Sequence, residues 1–223
     1  MTKAFAVALS AIVILLHAAF QSPVPVESEP RHHLKFENQY VRVFDVMVPP
    51  NDATLFHTHS NDYVFVTIGG ANLKAQVMGA QPVDLNLTTG EVRFSKASLI
   101  HRITNVGSTP FHNITVEILS SPGSPASAAS LESVPGHTLV LENERVRIYR
   151  LVLEPGQSTG MHTHALSGLG IAVSAGDIEI ESQGQRQTVK FKPGEFRWHT
   201  GATTHSLKNV GSTRFEAVDI EWK

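Results

Sequence analysis

Cysteine is absent from the 223 residues of this chain. That excludes disulfides, thiolate metal ligands, a cysteine nucleophile and a lipid-modified N-terminal cysteine, although it names no compartment by itself. A basic surplus is lacking too. Lys and Arg number 18 against 20 Asp and Glu, a formal net charge of -2, so nothing is left to neutralise phosphates and nucleic acid is not an expected partner. Charged residues are 17% and hydrophobic ones 41%, a globular balance rather than a disordered one. The residue in excess is histidine. There are 12, and six of them sit in two repeated patterns.

Residues 1–20, MTKAFAVALSAIVILLHAAF, have a short cationic start at Lys3 and an apolar middle. They read as a secretory signal peptide, which predicts an exported protein, periplasmic or extracellular. The competing reading is an uncleaved anchor, the one route by which this chain would meet a membrane. Residues 21–33 follow as a proline-rich spacer, predicted extended and unpacked. From residue 34 the sequence is β-type, with apolar runs such as 41–48, 63–68 and 111–119. Turn signals separate them: PPND at 49–52, GG at 69–70 and NVGSTP at 105–110. No stretch there keeps a helical period for long. Residues 121–136 are small, polar and proline-bearing, a linker composition. The β pattern then resumes over 137–223.

An internal repeat organises the whole. FENQYVRVFDV at 36–46 matches LENERVRIYRL at 141–151, and HTH at 57–59 matches HTH at 162–164, a shift of 162 − 57 = 105. TGEVRF at 89–94 matches PGEFRW at 193–198, and NVGSTPF at 105–111 matches NVGSTRF at 209–215, each shifted by 104. A nearly constant shift implies two copies of one small β-barrel, 34–120 and 137–223. In each copy two histidines stand two apart, so on a strand their rings share a face. A third follows about forty residues later: His57, His59 and His101, then His162, His164 and His205.

These residues resemble the cupin superfamily, and residues 34–223 resemble a bicupin. Gly156, His162 and His164 fit the opening of the family's first motif. Gly194, His205 and Asn209 fit the spacing of its second motif, with Thr200 and Ala202 where proline and glycine are expected. Gly90, His101 and Asn105 keep that spacing in the first copy, with Lys96 and Ser98 at the substituted places. The resemblance implies an all-β chain of two tandem jelly-roll barrels. It departs from the oxalate-processing and germin type in one respect. Their glutamate ligand is replaced by Tyr63 in the first copy and Gly168 in the second, and Asp62, one residue early, aims at the opposite face unless a bulge re-aims it.

Three imidazoles without the carboxylate suit a divalent transition metal, Fe, Mn, Zn, Ni or Cu, with positions left open for water, substrate or oxygen. The more positive centre favours anionic bidentate ligands such as diketonates, hydroxyacids or catecholates. Three-histidine iron cupins of similar pattern include gentisate-type, thiol and diketone-cleaving dioxygenases. A purely structural role for the triads is the competing reading.

Two further residues are candidate catalytic groups, His112 in FHNITVEI and Glu216 in FEAVDIEW. They stand 104 apart, on what reads as the inward face, unless each is simply wet at the start of its strand. Tyr63 reads as a core tyrosine with a satisfied hydroxyl or as a substrate-orienting group. Arg42 and Arg147 read as outward-facing, with a carboxylate clamp as the alternative. One of Trp198 and His199 is expected to line the second pocket. Asn105 and Asn209 read as turn residues. His17, His32, His33 and His137 fall in leader or linker stretches and carry no expected role. Lys96 close before His101 would disfavour a cation if it pointed inward, which makes the second site the expected reaction site.

The sequence therefore predicts an exported metal-dependent enzyme, oxygenase-like, acting on a small oxygenated molecule. The alternatives are a non-catalytic cupin binding a metal or small ligand, and a scaffold that has lost its chemistry. A homo-oligomer is compatible with it, since barrel edges need covering.

Overall fold

The computed structural model describes residues 22–123 and 128–223. The leader expected at 1–20, His17 within it, and linker residues 124–127 lie outside the described residues. The first half contains β1 (Val24–Pro25), β2 (His32–Glu37), β3 (Val41–Val48), β4 (His57–His59) and β5 (Tyr63–Gly69). It continues with β6 (Ala71–Val77), β7 (Val83–Leu87), β8 (Val92–Ser95), β9 (Leu99–Asn105) and β10 (Phe111–Ile118). The second half contains β11 (His137–Glu142), β12 (Val146–Leu153), β13 (His162–His164), β14 (Gly168–Ala172) and β15 (Gly176–Ser182). It ends with β16 (Gln185–Phe191), β17 (Phe196–His199), β18 (Thr203–Asn209) and β19 (Phe215–Trp222). Among the described residues no helix is long and apolar enough to cross a membrane.

Each half is a jelly-roll barrel of two sheets. In the first, β2-β3-β10-β5-β8 faces β1-β4-β9-β6-β7; in the second, β11-β12-β19-β14-β17 faces β13-β18-β15-β16. Strand alternation sorts the apolar side chains into separate cores. Phe44, Val46, Val48, Leu73 and Phe111 fill the first barrel, and Leu151, Leu153, Ile178 and Phe215 the second. A larger core lies between the barrels. Val41, Val43, Val64, Val66, Ile114 and Val116 from one meet Ile148, Leu169, Ile171, Val218, Ile220 and Trp222 from the other.

Burial on both faces corrects one expectation. The face shared by His112, Ile114, Val116 and Ile118 turns toward the other barrel, and so does that of Glu216, Val218 and Ile220. The true inward faces are Phe111, Asn113, Thr115 and Glu117 on β10, and Phe215, Ala217, Asp219 and Glu221 on β19. A sheet covered on both sides is apolar on both, so alternation alone does not say which side is the barrel.

The spacer expected to be unpacked is packed as well. Val24–Pro25 runs parallel to His57–Thr58, Val24 N–H donates to the Phe56 carbonyl (2.9 Å), and Val26 is buried. Asn105 and Asn209 are buried turn residues. Each amide donates to two carbonyls, Val48 and Thr109 in one case and Leu153 and Thr213 in the other.

Candidate metal centres

Register puts the histidines together. β4 and β9 pair antiparallel with His57 opposite His101, and β13 and β18 pair with His162 opposite His205. In the first barrel the His101 ring centroid is 4.5 Å from that of His57 and 5.4 Å from that of His59. In the second, the His205 ring lies 4.7 Å from His162 and 5.0 Å from His164. A fourth histidine joins each group. His32 on β2 lies 4.6 Å from His57, and His137 on β11 lies 5.4 Å from His162. One ring nitrogen from each of His32, His57 and His59 lies within 4.8 Å of the others, and the same holds for His137, His162 and His164. In the sequence His32 and His137 fall in stretches of spacer and linker composition. Their signal was present all the same: 137 − 32 is 105, the shift of the HTH pairs.

The hydrogen bonds fix which nitrogen faces the centre. A carbonyl only accepts, so His57 Nδ1, 3.0 Å from the Leu55 carbonyl, and His162 Nδ1, 3.1 Å from that of Gly160, must carry the hydrogen. The neutral rings then hold their lone pairs on Nε2. His59 Nδ1 faces Glu117 at 3.5 Å and His164 Nδ1 faces Glu221 at 3.3 Å, both carboxylates almost fully buried. Imidazoles oriented from behind by a carbonyl or carboxylate are the usual arrangement around a metal.

The centres fit a cation. Nε2 of His57, His101 and His205 is buried and has no hydrogen-bond partner, which is costly unless an ion or proton takes the lone pair. His162 and His164 bring their Nε2 atoms to 3.2 Å, two lone pairs face to face that a cation between them would stabilise. Burial, then neighbouring imidazoles, holds His57 at a pKa of about 3 and His101 at about 2. The same causes hold His205 at about 3, and burial holds His162 at about 4 against its carbonyl bond. All four are neutral at pH 7, the form that binds metal. His164 runs the other way. Burial works to lower it, but the Glu221 carboxylate facing its Nδ1 and the charge of Asp219 leave it raised.

The barrels differ around their centres. Tyr63 stacks on His59 with centroids 3.9 Å apart, and its hydroxyl bonds Ser95, its partner across the sheet. In the second barrel the corresponding pair is Gly168 and His199. A Cβ at Gly168 would lie 2.4 Å from His199 Nε2, so the missing side chain is what admits the His199 ring, 5.1 Å from His164. Asp219 occupies the place of Thr115, 104 residues apart. Burial works to raise its pKa, but the bond from His137 and the charges of the neighbouring imidazoles hold it at about 2. Asp219, His164, His199 and His205 together line a cavity of about 240 Å³ whose other walls include Leu151, Ile178 and Phe191. The first cavity, about 170 Å³, is lined by His32, His57, His59 and His101 with Tyr63 and Thr115.

Other candidate residues lie elsewhere. His112 bonds Asp45 (2.8 Å) and lies against Gly194 of the second barrel; Glu216 bonds Arg150 (2.6 Å) and lies against Gly90 of the first. Both sit in the cleft between barrels, outside either histidine cavity. Lys96 points outward to Glu144 (2.7 Å), so it opposes no cation, and Asp62 accepts from the Ala97 N–H. Arg42 was read as facing outward, but its guanidinium reaches Glu117 (3.2 Å) behind His59. Arg147 pairs with Glu142 instead. Trp198 packs between Tyr40 and Trp222 in the inter-barrel core, His199 stands beside the His164 ring, and both residues line the second cavity.

No protein-family model matches the chain, and no curated protein matches it in sequence. Solved structures do. AerE from Microcystis aeruginosa aligns over 90% of this chain and 98% of its own, with a TM-score of 0.67 at 17% identity. A mutant salicylate 1,2-dioxygenase from Pseudoaminobacter salicylatoxidans, crystallised with gentisate, aligns over 89% of this chain and 76% of its own, with a TM-score of 0.62 at 14% identity. A cupin 2 conserved barrel domain protein from Leptotrichia buccalis covers 86% and 88%, with a TM-score of 0.55 at 10% identity. Likeness at these identities is likeness of fold.

Proposed function

We propose that this chain, which has the two-barrel cupin fold, is an exported metal-dependent enzyme, oxygenase-like, acting on a small oxygenated molecule in its second barrel. The observation that carries this is the convergence of the His162, His164 and His205 rings, with His164 and His205 lining one cavity together with Asp219 and His199. When bound, a divalent ion such as Fe, Mn, Zn, Ni or Cu supplies a Lewis acid with open positions for a substrate oxygen. The chain's own groups do the rest. Glu221 and the Gly160 carbonyl aim the rings. Asp219, ionised at neutral pH, accepts a hydrogen bond from a substrate hydroxyl and orients it, and His199 orients the substrate's polar end. Ile178, Phe191 and Phe215 exclude water. A cavity below the roughly 300 Å³ typical for drug-sized ligands suits a small molecule. The dioxygenase neighbour's gentisate supports that class. Export rests on the cationic and apolar pattern of residues 1–20.

The first barrel supports a second reading, metal binding without turnover. Thr115 stands where the second barrel has Asp219, and Tyr63 covers His59.

The test is metal content by mass spectrometry on tag-free protein, beside a His162→Ala/His164→Ala variant, followed by oxygen uptake with hydroxyacids, catechols and diketones. The wild type should carry metal and consume oxygen with a member of the panel; the variant should lose turnover and the second-barrel metal. A protein that takes up no metal sinks the proposal. Fractionation of expressing cells checks export, and retention in the cytoplasm refutes that part.

A further inference from the structure

We propose that the first barrel is a four-histidine centre completed by His32, and that the second is a three-histidine centre because Asp219 diverts the matching His137. The inference rests on the metal reading above and concerns which of this chain's imidazoles serve it.

Glu29 makes His32 a ligand. This carboxylate is 2% exposed and is fixed by the backbone N–H groups of Arg31 (2.8 Å) and Leu55 (3.0 Å). It meets His32 Nδ1 at 2.6 Å. An ionised carboxylate only accepts, so Nδ1 carries the hydrogen and Nε2 keeps its lone pair for the centre. Thr115, two strands away in the same sheet, leaves that lone pair alone, because its hydroxyl donates to Asn113 (2.7 Å).

In the second barrel both partners have changed. Val134 stands 105 residues after Glu29, and His137 Nδ1 is buried with no hydrogen-bond partner. Asp219, at the place of Thr115, instead takes the other nitrogen, with His137 Nε2 donating to its Oδ2 at 3.2 Å. His137 Nε2, carrying that hydrogen, has no lone pair to give, and the lone pair left on Nδ1 belongs to the atom that in the first barrel faces Glu29 and not the centre. A carboxylate behind the ring thus presents it to the ion, and a carboxylate in front withdraws it. Four imidazoles leave fewer positions open than three, so the first centre retains its ion while the second can exchange ligands.

Cobalt(II) titration of the full chain, read by visible absorption, tests this. In a His162→Ala/His164→Ala background only the first barrel remains. Adding His32→Ala there should weaken cobalt binding by about tenfold or more and change the band intensity. In a His57→Ala/His59→Ala background, adding His137→Ala should leave affinity and spectrum unchanged. Where His32→Ala fails to fold, the reciprocal conversion still decides. Val134→Glu/Asp219→Thr should turn His137 into a ligand and tighten the second barrel by about tenfold. Cobalt bound alike with and without His32, equal weakening by His137→Ala, or a conversion without effect each overturns the assignment while leaving the metal reading standing. No cobalt bound by the wild type overturns both.

Discussion

In the first barrel Tyr63 lies over His59 and faces Ser95 across the sheet; in the second, Gly168 and His199 stand at those two places. One large and one small residue fill the same space in each copy, with the sizes exchanged between strands. What changes is chemistry rather than volume: a phenol with a satisfied hydroxyl in one barrel, an imidazole facing a cavity in the other. The Thr115 and Asp219 places follow the same logic. A duplicated fold can therefore keep its ligand-bearing strands and still diverge through paired changes in the lining.

The largest effect that sharpens this comparison is on pH. The folded pKa values of about 3 for His57, 2 for His101, 4 for His162 and 3 for His205 lie below the ordinary value of 6.5. The unfolded chain takes up these protons first, so stability of the metal-free protein should fall as pH drops below 6.5 and level off only when the folded rings protonate. Each ring contributes up to about 1.4 kcal/mol per pH unit in that window. His164, raised, has the opposite sign: its contribution is full below 6.5 and is lost as pH rises through its folded value. Denaturant melts at about pH 7 and about pH 5 measure the balance. A flat profile there would contradict neutral buried clusters.

Next is the group that separates the two cavities. Asp219→Asn should lower turnover about 100-fold with second-barrel metal retained, whereas Thr115→Asp should leave turnover unchanged. Steady-state rates beside metal analysis decide it; full activity in Asp219→Asn removes this carboxylate from the chemistry. Smaller again is the cost of forcing the barrels to look alike. Gly168→Tyr collides with His199 and should destabilise by about 1–3 kcal/mol, and adding His199→Ser should restore most of it. Equal losses in the single and double variants would break the exchange argument. The smallest effect is at Lys96, whose ammonium points away from the first centre. Lys96→Ala should leave first-barrel metal content as it is, and a gain in occupancy would show the charge reaches inward after all.

Much of this was legible beforehand. The constant shift of 104 to 105 residues exposed the duplication, and the HTH pairs with His101 and His205 marked the strands whose register brings the rings together. His32 and His137 were overlooked because their surroundings have linker composition, although they obey the same shift. His112 and Glu216 were placed inside the barrels because an apolar face usually looks inward. Here the opposite face does, and the barrel partner supplies the burial. Asp219 shares that face with Glu221, Ala217 and Phe215.

The position of His32 and His137 at the start of each unit also bears on how the chain is tied together. An ion bridging His32 and His101 would close a loop of 101 − 32 = 69 residues, and the strands that carry His162 and His205 are joined across 205 − 162 = 43. A protein without cysteine has no covalent cross-link to restrict its unfolded chain. Imidazoles gathered around an ion do that work reversibly, favouring the folded form in proportion to the metal concentration and releasing it when a chelator is added. With an ion bound, the molecule's resistance to unfolding would be set by its surroundings as much as by its own sequence.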